Sequence, residues 1–249
     1  MDVSAVADQV RADLREAADP ERAAQQQRYL RSSAEHWGVS VPQARTAIRA
    51  AGRSVEHEEL IGLVDRLWAG GVFDTRLAAA LLLDRHASAF RAADLGWLTG
   101  LIREARTWAL VDLLVPRPLA AADADDAVGT TAVLDAWSCD EDFWLRRSAI
   151  LAHLIGLRVG EGDWDRFARY ADRLLADREL FVRKAIGWVL RDAGRQDPQR
   201  VAAWVAARTD RISGVALREA VKPLDAVTAA ALRAAYAEGR VAEVRPAPR

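Results

Sequence analysis

The chain has 249 residues, 51% of them hydrophobic, enough to bury the core of one elongated domain or two small ones. A formal net charge of −1 argues against a protein that coats nucleic acid indiscriminately, yet permits a basic face balanced by an acidic one. Of the 35 basic residues only Lys184 and Lys222 are lysine; the rest are arginine, the better fork for phosphate. The lone Cys139 excludes a disulfide framework and a thiolate metal cluster and suits a reducing compartment, the cytoplasm being the expectation.

In chain order, MDVSAVADQVRADLREAADPE is charged throughout and has no apolar stretch of signal-peptide length. LAAALLL (77–83) is far too short to span a bilayer, so no membrane partner is expected. Alanine, leucine and arginine dominate, apolar residues recur at three- and four-residue steps, and no alternating Val/Ile/Thr run suggests strands, so the chain reads as all-α. Helix starts are expected at Asp19-Pro20-Glu21, Ser40-Val41-Pro42, Asp163-Trp164 and Asp197-Pro198, where a capping side chain or first-turn proline fits helix entry. RPLAAADADDAVG (117–129) reads as a loop or weak helix, VGEGD (159–163) as a turn, and RVAEVRPAPR (240–249) as a frayed tail after a single domain at 1–239.

An internal echo supports repeats. FWLRRSAI (143–150) and LFVRKAIGW (180–188) share the order aromatic, aliphatic, basic, basic, small; Trp144 and Phe181 lie 37 residues apart, and Trp108 lies 36 before Trp144. VALREAVKPL (215–224) is a weaker echo about one unit further on. Helical units of this length, each unable to bury its apolar face alone, match stacked HEAT-type repeats, and the expected architecture is a curved α-solenoid of stacked helix pairs.

Most chemical motifs fail on spacing. DADDAVG (123–129) resembles the start of a calcium loop, but its fifth and twelfth positions fall on Ala127 and Leu134, which offer no side-chain oxygen. VGEGD lacks the Gly-Lys-Ser/Thr of a phosphate loop. His36, His57, His86 and His153 are scattered without zinc-ligand spacing, so no metal is expected, and no Gly-x-Ser-x-Gly elbow occurs to support a serine hydrolase.

Two elements survive. In TWALVDLLV (107–115), Trp108 and Asp112 are one helical turn apart on one face, while Leu110, Val111 and Leu114 point elsewhere and supply core. The pair can border a cleft; equally, Asp112 could bond a neighbouring helix or face solvent. In RKAIGWVLRDAGR (183–195), Lys184, Gly187, Trp188, Arg191 and Arg195 fall along one stripe. Such a stripe suits phosphates and a base, sugar or cation at the indole, with the bare glycine allowing close approach, or it is a solvated face with one interface tryptophan. Arg146, Arg147, Arg218 and Lys222 occupy comparable points in neighbouring units.

From about Tyr29 to Lys222 the chain resembles the DNA alkylation repair glycosylases built of HEAT-like repeats, the AlkD-like family. The resemblance rests on RYL (28–30), WALVD (108–112), WLRRSAI (144–150), FVRKAIGWVLR (181–191) with DPQRV (197–201), and REAVK (218–222), of which FVRKAIGWVLR is the most specific. It implies that Trp108, Asp112 and Trp188 form the catalytic cleft, that Arg147 contacts DNA beside it, and that Tyr29 matches a DNA-contacting tyrosine. Lys184, Arg191, Arg218 and Lys222 become backbone-contact candidates. The apolar Ala109-Leu110 inside the Trp-x-x-x-Asp interval and the near-neutral total charge depart from the family pattern.

The implied activity is monofunctional: hydrolysis of the N-glycosidic bond of N3- or N7-alkylated purines in duplex DNA, by a monomer without cofactor. Asp112 would stabilise an oxocarbenium-like sugar, and no deep base-flipping pocket is implied. The alternative is a non-catalytic HEAT-repeat protein that binds branched or damaged DNA, with a protein-binding scaffold third.

Overall fold

The computed structural model describes residues 1–52 and 54–242, and among these every regular element is helical. The chain forms two compact units, Met1–Thr130 and Thr131–Arg249. The first contains α1 (Val3–Glu16), α2 (Pro20–Leu30), α3 (Val41–Ala47), α4 (His57–Trp68), α5 (Phe73–Arg85), α6 (Leu95–Ala105), α7 (Trp108–Leu114) and α8 (Pro116–Asp125). After α9 (Ala127–Trp137), which carries the boundary, the second contains α10 (Phe143–Leu151), α11 (Leu154–Val159), α12 (Trp164–Arg173), α13 (Leu180–Ala193), α14 (Pro198–Ala206), α15 (Gly214–Ala220) and α16 (Ala226–Ala237). Within each unit the arrangement is an all-α, solenoid-like stacking of helix pairs, as the repeat spacing leads one to expect.

The expected helix starts are all used. Asp19, Ser40, Asp163 and Asp197 each accept a first-turn backbone N–H of α2, α3, α12 and α14, satisfying donors that have no partner within the helix. Residues 116–125 are helical rather than loop, and Asp126 then caps the next helix by accepting from Val128 and Gly129 N–H. In the expected turn at 159–163, Gly160 takes φ +83°.

The core of the first unit is α5, which packs against α3, α4, α7 and α8 and is buried over the whole run Leu77–Leu83. This explains LAAALLL: a central helix has no solvent face and its alanines let neighbours approach closely. The fully buried Asp74 opens α5 and accepts backbone N–H of Trp37 and Val39, both at 2.7 Å. That clamp holds the segment entering α3, where Gly38 takes φ +83° and a Cβ would lie 2.0 Å from the Asp19 carbonyl oxygen, so only glycine fits. By contrast α2 buries no residue and is tied down by polar contacts, Arg22 to the Gly38 carbonyl at 2.8 Å and Gln26 to the Val39 carbonyl at 2.9 Å.

In the second unit α13 is the hub, packing against α10, α11, α14 and α15. It buries Val182, Ala185, Ile186, Gly187, Val189 and Leu190. The bareness of Gly187 serves α15, not a ligand: a Cβ there would lie 2.9 Å from Ala216 Cα and 3.0 Å from Glu219 Cβ. The histidines are built into the packing. His57 bonds Asp94 at 2.9 Å, His36 stacks on Phe73 at 4.4 Å between ring centroids, and His153 accepts from the Arg166 guanidinium at 3.2 Å. At the C-terminal end, Thr209 Oγ1 donates to the Arg240 carbonyl at 2.7 Å and Ala242 N–H donates to the Ala206 carbonyl at 3.0 Å. The rest of the expected tail, 243–249, lies outside the described residues.

Candidate functional site

In the first unit α7 starts abruptly at Trp108 because Thr107, in extended geometry, accepts the Ala109 N–H. Leu110, Val111 and Leu114 are buried and leave Trp108 and Asp112, one turn apart, half-buried on the other face. The Tyr29 ring, 75% exposed at the end of α2, meets the Trp108 indole edge-on, with centroids 6.1 Å apart and planes at 86°. Edge-to-face packing of this kind aligns the positive rim of one ring with the negative face of the other. Thus Tyr29 and Trp108, 79 residues apart in sequence, pack together, with Asp112 one helical turn beyond Trp108 on the same face of α7.

In the second unit α13 presents Lys184, Trp188 and Arg191 at successive turns, exposed or half-buried. Phe181 sits among cations: Lys184 Nζ is 5.7 Å from its ring centroid and the Arg147 guanidinium 6.0 Å. Trp144 completes the cluster, 5.0 Å from Phe181 between centroids. Arg147 itself is only 3% exposed and donates to the Phe181 carbonyl, and its neighbour Arg146 bonds Asp177 at 2.7 Å and the Asp140 carbonyl at 2.7 Å. Both arginines therefore brace α10 and the start of α13. Arg191 and Lys222 share the carboxylate of Glu219, while Arg218 and Lys184 are exposed. Lys222 first, then Arg191, hold the Glu219 carboxyl below the ordinary carboxylate range.

Sequence reasoning missed Phe181, Asp192 and Glu219 as parts of this surface. Phe181 was legible as an aromatic three residues before Lys184. Nothing local marked Asp192 or Glu219, whose roles depend on which arginines other helices bring to them. No group of three or more His, Cys, Asp or Glu arranged to hold a metal occurs among the described residues.

Fold and site define an all-α helical-repeat protein that presents an aromatic and carboxylate pair in one unit and aromatic residues interleaved with cations in the other. The family model described as DNA alkylation repair enzyme matches residues 10–224, and the chain belongs to that family. A solved structure described as a predicted DNA alkylation repair enzyme from Enterococcus faecalis superposes with a TM-score of 0.72 at 21% identity, over 84% of this chain and 97% of that one. At that identity the likeness concerns the fold. No significant match was found among curated proteins.

Proposed function

We propose that the protein is a monofunctional DNA glycosylase that releases N3- or N7-alkylated purines from duplex DNA. The observation that carries the reading is the Trp108–Asp112 pair on α7, with Tyr29 packed edge-on against the indole. Family membership supports DNA alkylation repair, and the pair supplies the chemistry. An alkylated purine already carries positive charge, so the base leaves readily and the sugar develops oxocarbenium character. What the enzyme must add is a fixed negative charge near that sugar and a surface that tolerates a cation. A half-buried carboxylate acts through a lower effective dielectric than a solvated one, and an indole face attracts cations.

In this reading Asp112 stabilises the sugar cation and positions the attacking water, and Trp108 faces the charged nucleotide. Trp188 carries the same assignment through its place in FVRKAIGWVLR. Tyr29, Lys184, Arg191, Arg218 and Lys222 contact the strand. Arg147, buried against Phe181, acts by presenting that cluster as much as by touching phosphate. Partner and compartment follow: duplex DNA, met as a monomer in the cytoplasm.

The test is chromatography of bases released from methylated duplex DNA. Wild-type protein releases 7-methylguanine or 3-methyladenine, and Asp112→Asn slows release by about 100-fold or more, the usual weight of an electrostatic group of this kind, with helical circular dichroism unchanged. Binding to duplex without release by the wild type would favour the non-catalytic alternative, and equal rates in the variant would remove Asp112 from the mechanism.

A further inference from the structure

Two carboxylates of the second unit hold the three cations that line one recess. Where α13 ends and the chain leaves α15, Arg191, Arg195 and Lys222 together with Gly194, Pro198 and Pro223 line a concavity of about 490 Å³. Beneath it lies Asp192, 2% exposed. Its Oδ2 accepts from Arg158 Nε and Nη2 at 2.9 and 2.7 Å, and its Oδ1 is 3.5 Å from Arg191 Nε and 3.3 Å from Arg195 Nη1. Glu219 accepts from Arg191 and Lys222. The nearby Asp197, the N-cap of α14, is engaged by the Arg200 guanidinium at 3.2 Å and accepts the Arg200 N–H. Three cations thus line the recess against two carboxylates, one of which is shared with Arg158, so positive charge is in excess.

Burying a carboxylate under three arginines is costly, and an apolar residue would pack there at less expense. What the carboxylate does achieve is orientation: each arginine has five N–H donors, and anchoring one edge of the Arg195 guanidinium at Asp192 leaves its other donors for a ligand, while Arg191 is fixed between Asp192 and Glu219. Arg195 is the most open, its side chain 61% exposed. The walls are fixed as well. Gly194 approaches Pro223 so closely that a Cβ would lie 2.7 Å from the proline Cγ, and the two prolines have restricted backbones. A preformed, cationic, proline-walled recess takes an oxyanion with little ordering cost.

We infer that this recess is a phosphate site that seats a phosphodiester of the DNA strand, with Arg195 as a contact residue and Asp192 as the positioning residue behind it. The inference rests on the DNA-binding part of the proposed function and not on its chemistry. Inorganic phosphate is titrated while the arginine Nε–Hε resonances are followed by NMR, and undamaged duplex is bound over a salt series by wild type, Arg195→Ala and Asp192→Asn. Phosphate should shift Arg191 and Arg195. Arg195→Ala should weaken duplex binding roughly tenfold and reduce the salt slope by about 1, the weight of one charge-assisted phosphate contact. Asp192→Asn should weaken duplex binding and diminish the phosphate-induced shift at Arg195.

If phosphate shifts both arginines while Arg195→Ala binds duplex as tightly as wild type, the strand is overturned as the source and a free phosphate monoester takes its place. Absence of shifts at both arginines overturns the site. Failure of the wild type to release bases would refute the glycosylase reading alone, because lesion-free duplex is used here.

Discussion

Substituting Gly187 by alanine pits two effects of known size against each other. Inside a helix alanine is favoured over glycine by about 1 kcal/mol, because the unfolded chain loses less entropy on folding. At Gly187, however, the new Cβ would stand 2.9 Å from Ala216 Cα, 3.1 Å from the Ala216 carbonyl oxygen and 3.0 Å from Glu219 Cβ. Two of these are backbone atoms of α15, so relief requires α15 to move rather than a side chain to rotate. Overpacking of this kind costs about 1–3 kcal/mol, and the net expectation is a loss of about 0–2 kcal/mol. Gly100 in α6 provides the control, since it too lies in a helix interior but a Cβ there meets nothing within 4 Å. Gly100→Ala should keep the whole propensity gain of about 1 kcal/mol. In urea denaturation followed by circular dichroism, the midpoint should rise for Gly100→Ala and fall or stay for Gly187→Ala. In thermal melts the two should separate by several degrees, at about 2–4 °C per kcal/mol for chains of this size. A Gly187→Ala protein stabilised as much as Gly100→Ala would refute the close α13–α15 crossing.

Stability should also fall on mild acidification. Burial pushes the ring pKa of His36 and of His86 below the ordinary histidine value of 6.5, opposed at His36 by Asp74 and reinforced at His86 by Arg85. Because the folded-state values are depressed, the unfolded chain binds protons first; the contribution is complete above pH 6.5 and is lost as pH falls below it. Denaturation midpoints between pH 7.5 and 5 should therefore decline, with the slope reduced in a His36→Gln, His86→Gln protein; a flat or rising profile for the native sequence would contradict the assignment. Finally, α2 buries no residue, so its amides should exchange with solvent much faster than those of α5, and duplex DNA should slow α2 exchange through Tyr29. Protection of α2 equal to that of α5 in the free protein would show that its polar tethers hold more tightly than the burial pattern indicates.

Capping and periodicity are local, and they were legible. Asp19, Ser40, Asp163 and Asp197 stop the preceding segment and satisfy the next helix within three residues, so no distant contact is needed to place them. The helical period likewise predicts that Leu110, Val111 and Leu114 are buried and that Trp108 and Asp112 share the other face. It failed for the stripe on α13, where Gly187 lies in register with Trp188 and the cations but faces α15. A helical wheel gives angular position, but it does not say where a neighbouring helix crosses.

The sequence by itself determined an all-α chain, its helix starts, the repeat spacing and the pairing of Trp108 with Asp112, because each follows from interactions spanning a few residues. Tertiary structure alone decided that Tyr29 would meet Trp108, that Arg147 would be spent on the Phe181 carbonyl, and that Asp192 and Glu219 would gather Arg158, Arg191, Arg195 and Lys222. Those partnerships depend on how helices distant in sequence settle against one another. A charge on a surface helix has many possible partners of nearly equal energy until packing brings one of them within reach.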